Sequence, residues 1–94
     1  MTYELEFHQS ALSEWSKLDK PIREQFKKKL GERLENPRVE SAHISGGSHL
    51  YKIKLRAAGF RLVYQVQDHV ITVLVLSVGK RERNAAYNAA LVRC

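Results

Sequence analysis

Tyr51-Lys52-Ile53-Lys54-Leu55-Arg56, Ala57-Ala58-Gly59 and Phe60-Arg61-Leu62-Val63-Tyr64-Gln65-Val66 read together as a β-hairpin. In the first segment Tyr51, Ile53 and Leu55 alternate with Lys52, Lys54 and Arg56. A period of two puts an apolar set on one face of a strand and three cations on the other. Ala57-Ala58-Gly59 supplies a turn. The return strand sets Phe60, Leu62, Tyr64 and Val66 against Arg61, Val63 and Gln65. Pairing Leu55 with Phe60 puts Lys54 directly across from Arg61 and Lys52 across from Val63. Like charges facing each other on a sheet are destabilising, so a sequence shaped by folding alone would carry Glu or Thr at one of those places. An anionic ligand is the simplest reason for the repulsion. The competing reading is a solvated cationic sheet face without a ligand, and the facing pair weighs against it.

Downstream, Gln67-Asp68-His69 reads as a second turn. Residues 70–78 (Val-Ile-Thr-Val-Leu-Val-Leu-Ser-Val) are apolar at both parities, which predicts a central strand covered on both sides. Gly79 closes it, and Lys80-Arg81-Glu82-Arg83 follows. If Val66 pairs with Val70, position 75 faces Arg61. Positions 77, 79 and 81 then share Arg61's face, which brings Arg81 to the edge held by Lys54 and Arg61. A one-residue change in the turn would reverse that facing. Asn84 is placed to cap a final helix built on Ala85, Ala86, Ala89, Ala90 and Leu91. Tyr87 falls in that helix, one to two turns after Arg81. It is suited to stack on a base or bond a 2′-hydroxyl. It is equally suited to pack as an amphipathic residue with its hydroxyl at the surface.

Upstream, Tyr3, Leu5 and Phe7 alternate with Glu4 and Glu6, the pattern of a short half-buried strand. Leu12, Trp15 and Leu18 fall at helical spacing. Pro21 suits the first turn of a second helix, with Asp19 or Lys20 before it as cap. Ile22, Phe26, Leu30 and Leu34 face the core in that helix, Lys27-Lys28-Lys29 lie mostly opposite, and Asn36-Pro37 ends it. The two helices predict a helical hairpin. Residues 38–49 read as a loop, most flexible at Gly46-Gly47-Ser48. The order is β-α-α-β-β-β-α. It predicts one α+β domain over residues 1–94, with three consecutive strands in an antiparallel sheet and helices packed on one face. The first strand joins that sheet beside an undetermined neighbour.

The chain of 94 residues carries a formal charge of +6. Residues 1–50 hold eight Lys/Arg and eight Asp/Glu, which cancel; residues 51–94 hold eight Lys/Arg against Asp68 and Glu82 alone. The cationic half points to a polyanion as partner. Cys94, the last residue, is the one cysteine, so no disulfide framework or thiolate metal site is expected. His8, His43, His49 and His69 are scattered without metal-ligand spacing and read as surface or loop residues. Asp68 has no second carboxylate near it in sequence, and Gly46-Gly47 lacks the following Lys-Ser/Thr of a phosphate loop. Neither metal nor cofactor is expected. No apolar run is long enough to span a bilayer, and the N-terminus lacks a signal-peptide pattern, which predicts a cytoplasmic protein.

Cations clustered around one point suit a phosphodiester, and Arg offers a planar fork matched to phosphate oxygens. In RNA the 2′-hydroxyl is a nucleophile already in place. Cleavage then needs a base, charge stabilisation and help for the departing 5′-oxygen. Lysine is ordinarily a poor base, but crowding by Lys52, Arg61 and Arg81 disfavours the charged form of Lys54. Lys54 is therefore both a candidate phosphate ligand and a candidate base. Arg81 fits better as an electrostatic stabiliser of the leaving oxygen than as a true acid. Arg56, Lys80 and Arg83 extend the cationic surface as candidate RNA contacts.

The 51–56 and 59–66 segments, Ser77-Val78-Gly79-Lys80-Arg81-Glu82-Arg83 and Tyr87 resemble the RelE family of bacterial toxin–antitoxin systems, within the RelE/ParE superfamily. The resemblance extends over the whole chain, including Ala11-Leu12-Ser13-Glu14-Trp15 and Arg23-Glu24-Gln25-Phe26-Lys27-Lys28-Lys29-Leu30. It implies a microbial-RNase-like α+β fold and a metal-independent mRNA interferase that enters the ribosomal A site of the 70S ribosome and cleaves mRNA by 2′-hydroxyl attack. It implies Lys54 as base, Arg81 as acid or leaving-group stabiliser, Arg61 and Lys52 as transition-state stabilisers and Tyr87 as organiser of the substrate. It further implies a RelB-type antitoxin that covers or displaces the last helix, and a toxin–antitoxin complex that represses its own operator DNA. The Ala-rich final helix ending at Cys94 departs from the family pattern and leaves antitoxin docking undetermined. Two other readings differ in class: a ParE-like gyrase poison that acts by binding, and a basic module that binds RNA or DNA without cutting it.

Overall fold

In a computed structural model, the structure describes residues 2–45, 49–80 and 85–94. The order is β1 (Glu4–Phe7), α1 (Gln9–Ser16), α2 (Lys20–Glu35), β2 (Leu50–Leu55), β3 (Phe60–Gln67), β4 (Thr72–Lys80) and α3 (Ala85–Arg93). Short 3-10 turns lie at Glu40–Ala42 and Asp68–Val70. The expected α+β order is met. The His8 side chain opens α1 by accepting from the Ser10 amide at 3.1 Å. Asp19 precedes α2, Pro21 sits in its first turn, and Asn36 ends it ahead of Pro37. The flexible stretch expected at Gly46-Gly47-Ser48 lies outside the described residues, as does the Asn84 cap.

The four strands form one sheet in the order β1-β4-β3-β2. β2, β3 and β4 are antiparallel as expected, whereas β1 joins parallel to β4, so the sheet is mixed. The 51–66 hairpin has the register read from sequence: Leu55 opposite Phe60, Lys54 opposite Arg61, Lys52 opposite Val63. The second turn differs. Arg61 lies opposite Gly79, not Val75. A 3-10 turn at Asp68–Val70 and a left-handed Ile71 (φ 50°) lengthen the connection. The pairing then shifts by one residue between Val63 and Tyr64. Val63 pairs with Ser77 and Tyr64 with Val75, which leaves Leu76 as a bulge. Positions 77 and 79 still pair with Val63 and Arg61, so they share Arg61's face by a register four residues from the expected one.

The second correction concerns the layers. Helices cover both faces, not one. α1 and α2 bury Ala11, Phe26 and Leu30 against Ile53, Leu55, Leu62, Tyr64, Val73, Val75 and Val78. α3 lies on the other face, with Ala86 and Ala90 against Leu50, Val63 and Leu76. The physical reason is β4: an apolar strand needs a layer on each side. The bulge turns Leu76 toward α3, and the Ser77 hydroxyl on the same side donates to the Ala86 carbonyl at 2.6 Å. Of the three residues at helical spacing in the first helical segment, Leu18 is buried and Leu12 is 52% exposed.

Two polar ties fix the loops to this frame. The buried Tyr64 hydroxyl donates to the Pro37 carbonyl at 2.6 Å and accepts from Arg33 Nη1 at 3.0 Å. Burial pushes this phenol above its ordinary pKa. Asp68 accepts from Arg38 and, at 2.7 Å, from the Tyr3 hydroxyl, and so joins the β3–β4 turn to the loop after α2 and to the N-terminal segment. Those bonds hold its carboxyl below the usual carboxylate range, the Arg38 bond most of all.

Tyr64→Phe strands the Pro37 carbonyl and one Arg33 N–H, and urea denaturation should read a loss of about 1–3 kcal/mol. Because the Asp68 pKa is depressed on folding, its contribution is present above the unfolded value of about 3.9 and is lost as pH falls through the folded value. Stability measured from pH 7 to 2 should therefore fall less steeply at the acid end in Asp68→Asn than in the parent.

Candidate functional site

The hairpin register builds the site. On one face β2 presents Leu50, Lys52 and Lys54, and the facing positions on β3 present Val63 and Arg61. Lys52, Lys54 and Arg61 are each half-buried. The like-charge pair predicted from the sequence is therefore real. The face is the one α3 covers, and α3 brings Tyr87 onto it. The Arg61 guanidinium carbon lies 4.8 Å from the centre of the Tyr87 ring, and Lys52 Nζ lies 5.9 Å from it. A cation over an aromatic face gains about 0.5–2 kcal/mol, depending on desolvation. The ring thus offsets part of the repulsion between the cations it touches. Tyr87 also packs with Ile44 and Leu74 against the smaller core cluster. The ring therefore packs against the sheet and also meets two of the cations. Its hydroxyl, however, is buried without a hydrogen-bond partner among the described residues, which is unlike a packing tyrosine that keeps its hydroxyl at the surface.

Beside this cluster Lys52 and Tyr87 line a groove of about 320 Å³ with His43, Ile44, Ser45, Asn88 and Leu91. Sequence reading missed those groove residues, which carry no periodic signal. It also missed Arg33, whose Nη1 donates to the Lys52 carbonyl at 3.1 Å and so fixes the backbone that carries Lys52. A signal existed there. Arg33 follows Phe26 and Leu30 at helical spacing, which puts a cation on the buried stripe of α2.

The other candidates fall in three places. Arg56 is exposed on the turn between β2 and β3. Lys80 is exposed at the end of β4, opposite Phe60, and lines clefts beside β4 with Glu14 rather than the Lys54–Arg61 face. Arg81 and Arg83 lie outside the described residues, so the structure brings together Lys52, Lys54, Arg61 and Tyr87 of the candidate set. The carboxylates of Asp68 and Glu14 are paired elsewhere, with Arg38 and Arg93. Among the described residues no three His, Cys, Asp or Glu side chains gather as metal ligands. No helix among them is long and apolar enough to cross a membrane. The face offers fixed positive charge and a phenol, which suits a phosphodiester whose charge grows during reaction.

A family model described as the ParE toxin of the type II toxin–antitoxin system parDE matches residues 5–85. The chain is 54% identical over 93 residues to the mRNA interferase toxin RelE of Escherichia coli K12, covering 99% of this chain and 98% of that one. The fold is similar to a mutant of the E. coli toxin RelE in the free state, with a TM-score of 0.92, 52% identity and coverage of 99% and 98%. It is also similar to a chain of the intact E. coli RelBE toxin–antitoxin complex, with a TM-score of 0.83, 56% identity and coverage of 86% of this chain and 99% of that one.

The buried hydroxyl makes a clean test of Tyr87. Tyr87→Phe should leave urea-denaturation stability within about 0.5 kcal/mol of the parent or raise it, because an unpartnered buried polar group is removed. Tyr87→Ala should lower it by about 1–3 kcal/mol through loss of ring packing and of both cation contacts.

Proposed function

The chain belongs to the RelE/ParE family of type II toxins, and on that premise we propose that it is the toxin of a toxin–antitoxin pair and acts as an mRNA interferase, an endoribonuclease. The observation that carries this reading is the Lys54–Arg61 pair held face to face, with the Tyr87 ring against Arg61. A binding module has no need of two cations forced together beside an aromatic ring, whereas a phosphorane-like transition state does.

In this reading the 2′-hydroxyl of the RNA attacks the adjacent phosphorus. Lys54 takes the proton from that hydroxyl. Arg61 and Lys52 stabilise the charge that builds on the non-bridging oxygens. Arg81 supports the departing 5′-oxygen, and Tyr87 orders the nucleotide. Arg56, Lys80 and Arg83 contact the RNA backbone away from the scissile bond. The protein brings no carboxylate to this face among the described residues, so positioning has to supply much of the rate. The A site of the 70S ribosome supplies it by holding the codon in an attack-ready geometry. The site of action is then the cytoplasm.

A RelB-type antitoxin is the partner that silences the toxin. The α3 face supports this reading, since small alanines hold α3 there and a longer apolar segment would cover or displace it. The toxin reaches operator DNA only within the toxin–antitoxin complex, which represses its own operon.

Primer extension on mRNA carried by programmed ribosomes tests the reading. New ends should appear within the A-site codon with the parent protein. Lys54→Ala and Arg81→Ala should each slow their appearance by about 100-fold or more, the scale of lost acid–base or electrostatic help. Intact mRNA with the folded parent protein would sink the reading and turn attention to gyrase.

A further inference from the structure

β1 is too short to cover the outer side of β4. Their pairing ends at Phe7 opposite Val75, which leaves Leu76–Lys80 without a strand on that side among the described residues. Two side chains from opposite faces of the sheet meet there instead. Glu14, on α1, accepts from the Val78 amide at 3.1 Å. Arg93, at the end of α3, donates to the Leu76 carbonyl at 2.8 Å. The two side chains also pair with each other in a fork, at 2.9 Å from Nη1 to Oε1 and 3.1 Å from Nη2 to Oε2. Both are partly buried, 19% exposed for Arg93 and 33% for Glu14. A fork of this kind fixes direction as well as distance.

What the fork fixes is the helix that carries Tyr87. α3 has nine residues, too few to be stable as a helix without packing. It buries only Ala86 and Ala90 fully. Its polar ties to the rest of the fold among the described residues are the Ser77–Ala86 bond near its start and the Arg93 fork at its end. The same fork grips β4 at Leu76 and Val78, immediately before Gly79, the residue opposite Arg61.

We propose that Glu14 and Arg93 are positioning residues for RNA cleavage, a latch across the open side of β4 that holds α3 down and so keeps Tyr87 on Arg61 and Lys52. Neither touches the cationic face, and both act through α3. The latch deepens the cleavage reading above and presupposes it for its kinetic part, but the state of α3 is measurable without any substrate.

The test is amide hydrogen exchange on the full chain, paired with single-turnover A-site cleavage at rising ribosome concentration. Arg93→Ala and Glu14→Ala should each speed exchange of the α3 amides about tenfold or more and leave those of α2, β2 and β3 unchanged. The maximal cleavage rate should fall about tenfold, with the half-saturating ribosome concentration little changed. The double variant should be no worse than either single one, because both remove one latch. Arg93→Lys keeps one charged contact and should recover part of both effects, which separates the latch from a general loss of fold. Unchanged α3 exchange in Arg93→Ala would overturn the latch. Faster exchange with an unchanged cleavage rate would overturn the positioning role. If the parent protein does not cut at all, the cleavage reading fails, and the exchange arm still decides whether the latch exists.

Discussion

A strand that is apolar at both parities is stable only where something covers each of its sides, and β4 meets that condition with helices from opposite ends of the chain. Much else follows from this. The helical hairpin takes one face because it has the larger apolar stripe, with Phe26 and Leu30 wholly buried. The other face falls to α3, which meets the sheet with alanines and therefore lies close to it. Close approach is what places the Tyr87 ring within 4.8 Å of Arg61. The site is thus a by-product of covering β4, made on the face where the cover is thinnest.

The hairpin that carries the cations was legible because its two periodicities and its turn agree. Alternation assigned Lys52, Lys54 and Arg61 to one face, and a short connection left one register that keeps the apolar set together. The β3–β4 register was not legible. It depends on a left-handed Ile71 and on the bulge at Leu76, and neither residue type announces such a role. The shared face of Arg61 and position 79 came out correctly because the shift of four residues preserved parity. The side taken by α3 was in principle readable from the double apolarity of residues 70–78, which asks for a second layer. The parallel partner of β1 was not, since a four-residue strand carries too little pattern to choose a neighbour.

Within the site, side-chain types were legible and their supports were not. Lysine and arginine on a strand face declare charge, whereas the groups that hold them work through backbone atoms. Arg33 grips the Lys52 carbonyl, and the stacked Tyr51 and Tyr64 rings, 5.7 Å apart, sit beneath the same strand pair. A functional face made of repelling charges needs such supports, because the repulsion would otherwise be relieved by strand fraying. Tyr87 joins the two kinds of residue. Its ring packs as structure, and its buried hydroxyl keeps an unspent bond among the described residues.

The arginines at the two rims of the sheet have one more consequence. Arg33 occupies the Lys52 carbonyl on the β2 side, where residues 43 and 44 also pair with the strand, and Arg93 occupies the Leu76 carbonyl on the β4 side. Open strand borders are templates on which a second copy can add its own strands, the first step toward aggregation. Here a second copy would have to expel Arg33 from the Lys52 carbonyl or Arg93 from the Leu76 carbonyl before it could pair along those two stretches. Along those two stretches, strand addition by another copy competes with the same side chains that hold β2 and β4 beside the cationic face.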